Sequence, residues 1–397
     1  MDLFDLQQLN NLKNDGQSFV KLSRRIRINA VIAGYYQQLG NDYDDLIITR
    51  GKDEMPFDVK MSRRAGRLLR CGRLIDTTRW KELGIHKVNS LQRCGDKFCG
   101  NCQKQLANAR EHKYEPLLKA FSSEFDLYHI TLTVPNVSGR ELPKTVDRII
   151  SAFGKFVKFL LGRKNIRGLN ISRLGCLGAI RSMEITMNKQ MTTYHPHLHV
   201  IAVFKKGLEL DKPKVFTNDF SYSYGRKVQQ FSAFEVLIQK LWACCYSGVK
   251  ITKRAVESSA GYSCIVNNAD GNYHQIFKYA IAGLLADKKK AMCKDKSIDK
   301  GLTYKEFHDL YFALENRRAM QGYGIFYGLK FDDSILTEAD DTDKQVKDLV
   351  CMLNKLDDFE LVREKLSAVI ENITKNQHIY FSKKSVGQAL ESLKDDD

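Results

Sequence analysis

The chain has 397 residues, 43% apolar and 28% charged, with a formal net charge of +16; that length suits two or three domains with a sizeable core. No apolar run reaches membrane-spanning length, and a start of Met1, Asp2 and Asp5 followed by glutamines and asparagines lacks the basic opening and apolar centre of a secretory signal. Ten cysteines in such a chain fit a reducing cytoplasm better than a disulfide framework, so a cytoplasmic protein with no membrane partner is expected.

The charge is uneven. From Phe331 to Asp397 sixteen acids face nine Lys or Arg, a balance of −7, which leaves residues 1–330 with 54 basic and 31 acidic side chains. A basic body of that size predicts a polyanionic partner, most simply nucleic acid. Anionic membranes are usually met with a basic amphipathic helix, and none is evident.

Taken in order, residues 1–70 read as an N-terminal helical region. Its segments are Leu6 to Leu12 and Phe19 to Leu39, with an acidic turn at Asn41 to Asp45 and basic pairs at Arg24-Arg25 and Arg63-Arg64. Residues 71–115 read as a cysteine-rich zinc module. Cys94, Cys99 and Cys102 are spaced C-x4-C-x2-C, with Gly95 and Gly100 among them; glycines around a C-x-x-C knuckle let several thiolates face one ion. Cys71 is the first choice for a fourth ligand, with His86 and His112 as alternatives. A thioredoxin-like redox role does not fit, because no βαβ pattern surrounds the knuckle.

Residues 116–330 alternate strand and helix. Tyr128 to Pro135 predicts a strand with Ile130, Leu132 and Val134 on one face and His129, Thr131 and Thr133 on the other. Leu142 to Leu161 has helical periodicity. Gly178 to Met187 predicts a strand with Ile180, Ser182, Glu184 and Thr186 on one face. The run Tyr194 to Phe204 holds His195, His197 and His199 at alternate positions before an apolar, β-branched stretch, so all three histidines leave one face of a strand. Three of nine histidines within five residues mark a metal or catalytic site.

The polar link Asn188 to Thr193 predicts an antiparallel hairpin. If Met187 pairs with Tyr194, Glu184 falls opposite His197, about 5 Å away on the common face, and completes a Glu-His-His set of ligands. A one-residue slip removes it. Phe234 to Cys245 predicts a helix, Val249 to Thr252 a short strand, and Asn272 to Lys290 a helix with Tyr279 at its middle. The expected fold class is therefore α+β, centred on an antiparallel sheet. Residues 331–397 read as an acidic helical tail, with Val346, Leu349, Val350, Leu353 and Leu356 at helical spacing; its face suits a partner, a second copy or the body of the protein.

Taken together, the cysteine cluster, Ile130 to Asn136 (ITLTVPN), His195 to Val200 (HPHLHV) and Phe277 to Gly283 (FKYAIAG) occur in an order that resembles plasmid rolling-circle replication initiators of the HUH endonuclease superfamily. The resemblance covers roughly Cys71 to Leu329. It implies a central antiparallel sheet flanked by helices, with His197, His199 and Glu184 holding Mg²⁺ or Mn²⁺ and Tyr279 as the nucleophile. The implied reaction nicks one strand at an origin hairpin, leaving a 5′-phosphotyrosyl enzyme and a free 3′-hydroxyl that primes replication. Origin DNA is the implied substrate, a host helicase and a single-strand-binding protein the implied partners, and a homo-oligomer a further option. Two departures from the family pattern stand out: Gln275 stands where relatives often carry a glutamate, and Ala282 and Gly283 stand where they often carry a lysine. The rivals are a transposase of the same superfamily, a non-catalytic, zinc-containing DNA-binding regulator, and a metal-dependent phosphoesterase that uses water. Tyr273 and Tyr279, six apart, do not share a helix face, which favours the single-tyrosine replication type over the transposase.

Overall fold

The computed structural model describes residues 25–50, 53–72, 75–80, 85–91, 93–217, 228–269, 271, 273–278, 280–281, 302–331, 360–377, 381–382, 384 and 386–388. The chain divides into two units, one of residues 1–106 with 283–308 and the other of residues 107–282 with 309–397.

In the first unit a helix over residues 25–42 (α1) precedes a hairpin of β1 (Ile47–Arg50) and β2 (Asp53–Pro56). Then come α2 (Phe57–Arg70) and a second hairpin, β3 (Ile75–Trp80) with β4 (Ile85–Leu91). α2 buries Phe57, Met61, Ala65 and Leu68, the i, i+4, i+8, i+11 stripe of an amphipathic helix. Tyr36, Phe98 and Phe307 pack edge to face in the core, with Phe307 centred 4.9 Å from each of the other two rings. The expected segment Leu6 to Leu12 lies outside the described residues.

The second unit is built on five antiparallel strands in the order β8-β5-β7-β6-β9. They are β5 (Asp126–Thr133), β6 (Gly178–Asn188), β7 (Thr193–Phe204), β8 (Cys264–Asn268) and β9 (Met320–Gly324). The α+β class and antiparallel sheet expected from the sequence are present. β6 and β7 form the hairpin in the expected register, with Met187 opposite Tyr194 and Glu184 opposite His197.

Helices cover the sheet. α3 (Gly100–Glu124) precedes β5, the first strand of the sheet in sequence, and α4 (Leu142–Leu160), α5 (Ala233–Ser247), α6 (Lys253–Ser258) and α7 (His274–Phe277) follow it. α8 (Tyr304–Leu314) and α9 (Glu360–Gln377) complete the set. On one side of the sheet Phe156 of α4 meets Trp242 of α5, whose indole N–H donates to the carbonyl of Thr133 at 2.7 Å. On the other, Leu127, Ile180, Ile201 and Val203 of the sheet share a core with Leu117 and Phe121 of α3, Ile276 and Phe277 of α7, and Leu366, Ile370 and Ile373 of α9. The C-terminal helix thus lays its apolar stripe on the body of this unit. The apolar spacing read at Val346 to Leu356 lies outside the described residues.

Two expected elements differ. Val249 to Thr252 is not a strand: Gly248, with φ of 79°, ends α5, and the Thr252 side chain caps α6 by accepting from the Ala255 N–H. Such cap chemistry overrides β-propensity. The outer strand beside β5 is instead β8. Of the helix expected over 272–290, the described residues give the single turn α7, which ends at Phe277 where Lys278 turns extended at ψ of 152°; Tyr279 and residues 282–290 lie outside them.

Candidate functional site

The face shared by Leu127, Ile180, Ile201 and Val203 changes character along the strands. Because side chains at i and i+2 share a face, it continues into His129, Thr131 and Thr133 on β5, Ser182, Glu184 and Thr186 on β6, and His199, His197 and His195 on β7. Thr131 lies opposite His199 and Thr133 opposite His197 on one side of β7; Ser182 and Glu184 lie opposite the same two histidines on the other. The apolar end is buried under helices, and the polar end carries the chemistry.

Glu184 Oε2 lies 3.0 Å from His199 Nε2 and 3.4 Å from His197 Nε2. All three ligand atoms fall within 4.8 Å of one another, with both histidines buried. The far nitrogens are also engaged: His197 Nδ1 lies 3.1 Å from the carbonyl oxygen of His195, and His199 Nδ1 lies 3.1 Å from His129 Nε2. A carbonyl only accepts, so the His197 proton sits on Nδ1 and a neutral His197 turns a bare Nε2 toward a carboxylate. That clustering of acceptor atoms calls for a cation. Around a divalent ion with bonds of about 2.1 Å, neighbouring donors stand roughly 3.0 Å apart in an octahedron and 3.4 Å in a tetrahedron. The donor set fits.

The His197 and His199 side chains beside it hold the Glu184 carboxyl well below the usual carboxylate range, despite burial. Burial, and then the neighbouring His199, push the His129 imidazole down to about 4. With His129 as the acceptor from a His199 Nδ1–H, the His199 Nε2 lone pair would be left for an ion, the role outer-shell partners of metal-binding histidines play. The sequence placed His129 on the right strand face without assigning it this contact; the signal was its alternation with Thr131 and Thr133. His195 stacks on His197, ring centroids 5.2 Å apart, and is not one of the converging ligands.

Tyr279 lies outside the described residues. Its neighbours are described: the Ala280 carbonyl accepts from the Ile185 N–H at 2.7 Å, and the Lys278 carbonyl from the Ser182 hydroxyl at 3.4 Å. Both contacts are to β6, on either side of Glu184. Gln275 is exposed on α7.

In the first unit the structure brings Cys71, Cys94, Cys99 and Cys102 together, all buried. Sulfur–sulfur separations of 3.4, 3.5 and 3.7 Å approach the edge of about 3.8 Å that a tetrahedron with 2.3 Å zinc–sulfur bonds requires. Gly95, at φ of 69°, turns the chain so that its N–H donates to Cys102 Sγ at 3.4 Å, and the Asn29 amide donates to Cys99 Sγ at 3.2 Å. Both donors favour thiolate. Hydrogen bonds from Cys71, Cys94 and Cys99 push the Cys102 thiol down, while hydrogen bonding to Cys102 pushes Cys94 and Cys99 up. Asp96, between the ligands, accepts from Tyr36 Oη, Arg64 Nε and the Phe98 N–H, each at 2.9 Å, and so ties the knuckle to α1 and α2. The group holds Cys71 and suits Zn²⁺; the side chain of His86 lies outside the described residues.

A family model described as a replication protein (Rep_1) matches residues 85–214. That segment contains Cys94, Cys99, Cys102, Glu184, His197 and His199; Cys71 and Tyr279 lie beyond it. Curated relatives each called "Protein rep" are 28% identical over 140 residues in Streptococcus pneumoniae, covering 34% of this chain and 40% of that protein. One from Staphylococcus aureus is 25% identical over 174 residues, covering 43% and 72%, and one from Lactiplantibacillus plantarum is 29% identical over 142 residues, covering 34% and 40%. The chain thus spans less than half the length of two of these three. No solved structure matches it. Residues 85–214 thus resemble a replication-protein domain. Among the described residues no helix is long and apolar enough to cross a membrane.

Proposed function

We propose that this protein initiates plasmid rolling-circle replication by nicking one DNA strand at its origin. The observation that carries the reading is the convergence of Glu184, His197 and His199 within the segment that matches the replication-protein family.

Glu184, His197 and His199 would hold Mg²⁺ or Mn²⁺, which when bound acts as a Lewis acid on the scissile phosphate. His129 and the His195 carbonyl keep both imidazoles in the tautomer that leaves Nε2 free. Tyr279 is the nucleophile: its phenolic oxygen bonds to phosphorus, the bond from phosphorus to the 3′-oxygen breaks, and the departing oxygen takes up a proton. A phenol with a pKa near 10 attacks poorly until oriented or deprotonated; the Lys278 and Ala280 carbonyls that flank it in sequence bond to β6. The products are a 5′-phosphotyrosyl link and a 3′-hydroxyl primer. The phosphotyrosyl bond preserves the phosphodiester for later rejoining, which suits strand transfer better than hydrolysis. An amide is not a general base, so Gln275 does not activate water for release. The basic body meets origin DNA, and a host helicase and a single-strand-binding protein extend the reaction.

The test uses purified protein, Mn²⁺ and a labelled single-stranded origin oligonucleotide on a denaturing gel. A metal-dependent, label-retaining protein band that disappears in Tyr279→Phe and in His197→Ala is expected. Cleavage that survives Tyr279→Phe would assign the attack to water or another tyrosine. Absence of cleavage on the cognate origin with either metal would leave the non-catalytic DNA-binding regulator.

A further inference from the structure

α2 carries a row of arginines that the chemistry above does not use. At about 100° per residue, Arg63, Arg67 and Arg70 fall within an arc of about 60°, well away from the stripe of Met61, Ala65 and Leu68 that enters the core. All three are exposed, and among the described residues no carboxylate pairs with them; Arg63 reaches only the Met55 sulfur at 3.8 Å. Arg64, one position along, is different: it bonds Asp96 at 2.9 Å and lies over the Tyr36 ring at 4.7 Å. The sequence pair Arg63-Arg64 thus splits into one structural and one outward-facing arginine.

The arginines border an open groove of about 620 Å³ floored by Gly66, with Asp58 at its N-terminal end. A Cβ added to Gly66 would meet nothing within 4 Å, so a ligand's backbone can approach the helix closely there. Arg63 to Arg70 spans about 10 Å of helix, which matches about three phosphates at 3.4 Å of axial rise along one DNA strand. The helix is also held firmly for such a task. Cys71, the residue after Arg70, is a member of the four-cysteine cluster, and Arg64 binds Asp96 inside the same knuckle.

We propose that the arginine face of α2, fixed in place by the four-cysteine cluster, docks the phosphate backbone of duplex DNA. The proposal rests on the reading of this protein as a DNA-binding initiator and adds to it the surface that meets the double helix. A single strand is the weaker fit, because single-strand sites add aromatic stacking platforms and among the described residues no aromatic side chain lines this groove.

The experiment measures fluorescence anisotropy of a labelled mixed-sequence duplex, and of the matching single strand, against the full chain across a potassium chloride series. The variants are Arg63→Gln/Arg67→Gln/Arg70→Gln together, and Gly66→Glu, which puts a negative charge into the groove without removing an arginine. Lys144→Gln/Lys155→Gln/Lys158→Gln on α4 removes equal charge elsewhere. For duplex, the triple arginine variant should bind roughly tenfold or more weakly near 0.1 M salt and lose about 2.7 from its log–log salt slope, at about 0.9 per phosphate. Gly66→Glu should weaken duplex binding in the same direction. A duplex slope unchanged by the arginine variant, an equal loss from the α4 control, an equal loss for single strand, or no duplex binding by the parent protein would each overturn the proposal. Nicking of single-stranded origin is followed in parallel. Arginine-dependent duplex binding without a covalent adduct upholds this surface and removes the nickase reading; an adduct with arginine-independent duplex binding does the reverse.

Discussion

His129 is expected to set the affinity of the Glu184/His197/His199 group for its ion. The perturbation is His129→Phe, which keeps a planar ring of similar size stacked against His199, now 5.2 Å away at 21°, but removes the acceptor 3.1 Å from His199 Nδ1. His199 then has two poor choices. Keeping the Nδ1 proton leaves a buried donor unsatisfied, at about 1–3 kcal/mol; moving it to Nε2 blocks the lone pair that binds the ion. At about 1.4 kcal/mol per decade, the first choice alone amounts to roughly 5- to 150-fold, in line with the roughly 10- to 100-fold cost of removing an outer-shell partner. Free Mn²⁺ measured by electron paramagnetic resonance in zinc-replete protein should report a Kd raised by about that factor. His129→Gln, which offers a carbonyl oxygen in place of the ring nitrogen, should recover most of the loss. Unchanged Mn²⁺ affinity in His129→Phe, or a Gln variant as weak as the Phe variant, would refute the tautomer argument.

Other outcomes follow from the same coordinates. Protein purified under reducing conditions should carry about one equivalent of zinc by elemental analysis; Cys71→Ser should lose it, and His86→Ala and His112→Ala should keep it. The His129 imidazole, pushed down to about 4 by burial, contributes stability that is fully present above the unfolded value near 6.5 and is lost as pH falls toward 4. The size of that loss is at most about 3 kcal/mol in metal-free protein, and urea midpoints between pH 7 and 4.5 should fall less steeply in His129→Gln. Tyr194 donates to Asp309 Oδ2 at 3.0 Å beneath Gly139, where an added Cβ would collide with that carboxylate. Gly139→Ala should therefore lower unfolding stability by about 1–3 kcal/mol, and an unchanged melting temperature would mean the loop moves aside freely.

How much of this was legible in the sequence depended on the range of the signal. The Glu184–His197 pairing was readable because both residues sit in one hairpin, where the short polar link from Asn188 to Thr193 sets the register. The His129–His199 contact was not, since it is a diagonal neighbour across β5 and β7 and needs a register between segments far apart in sequence. β8 was missed for a related reason: five residues with exposed Ile265 form a strand only because the β5 edge is there to pair with. The helix expected through Tyr279 had good apolar spacing but stops at Phe277, where the chain turns extended and Ala280 bonds to β6. Tertiary pairing outweighed helical propensity at that point. Cys71 was found by counting cysteines, although nothing local to it distinguishes it; it meets the knuckle through α2, whose own amphipathic stripe was readable.

The two clusters differ in the property that separates structural from reactive metal sites. The four thiols of Cys71, Cys94, Cys99 and Cys102 are all buried, they complete a tetrahedron, and N–H donors from Asn29 and Gly95 already occupy two of the sulfurs. A closed, fully protein-ligated site has no vacant position for a substrate and acts on the fold. Among the described residues, Glu184, His197 and His199 supply three donors. The Glu184 side chain remains 20% exposed, at the polar end of a sheet face whose other end is sealed by α3, α7 and α9. Three ligands on one side of an ion leave coordination positions facing outward, and a phosphate oxygen is a suitable hard ligand for them. The same strand alternation that buries Ile201 and Val203 presents His199 and His197 two and four residues before Ile201, so the hydrophobic end of the face fixes the backbone that carries these side chains.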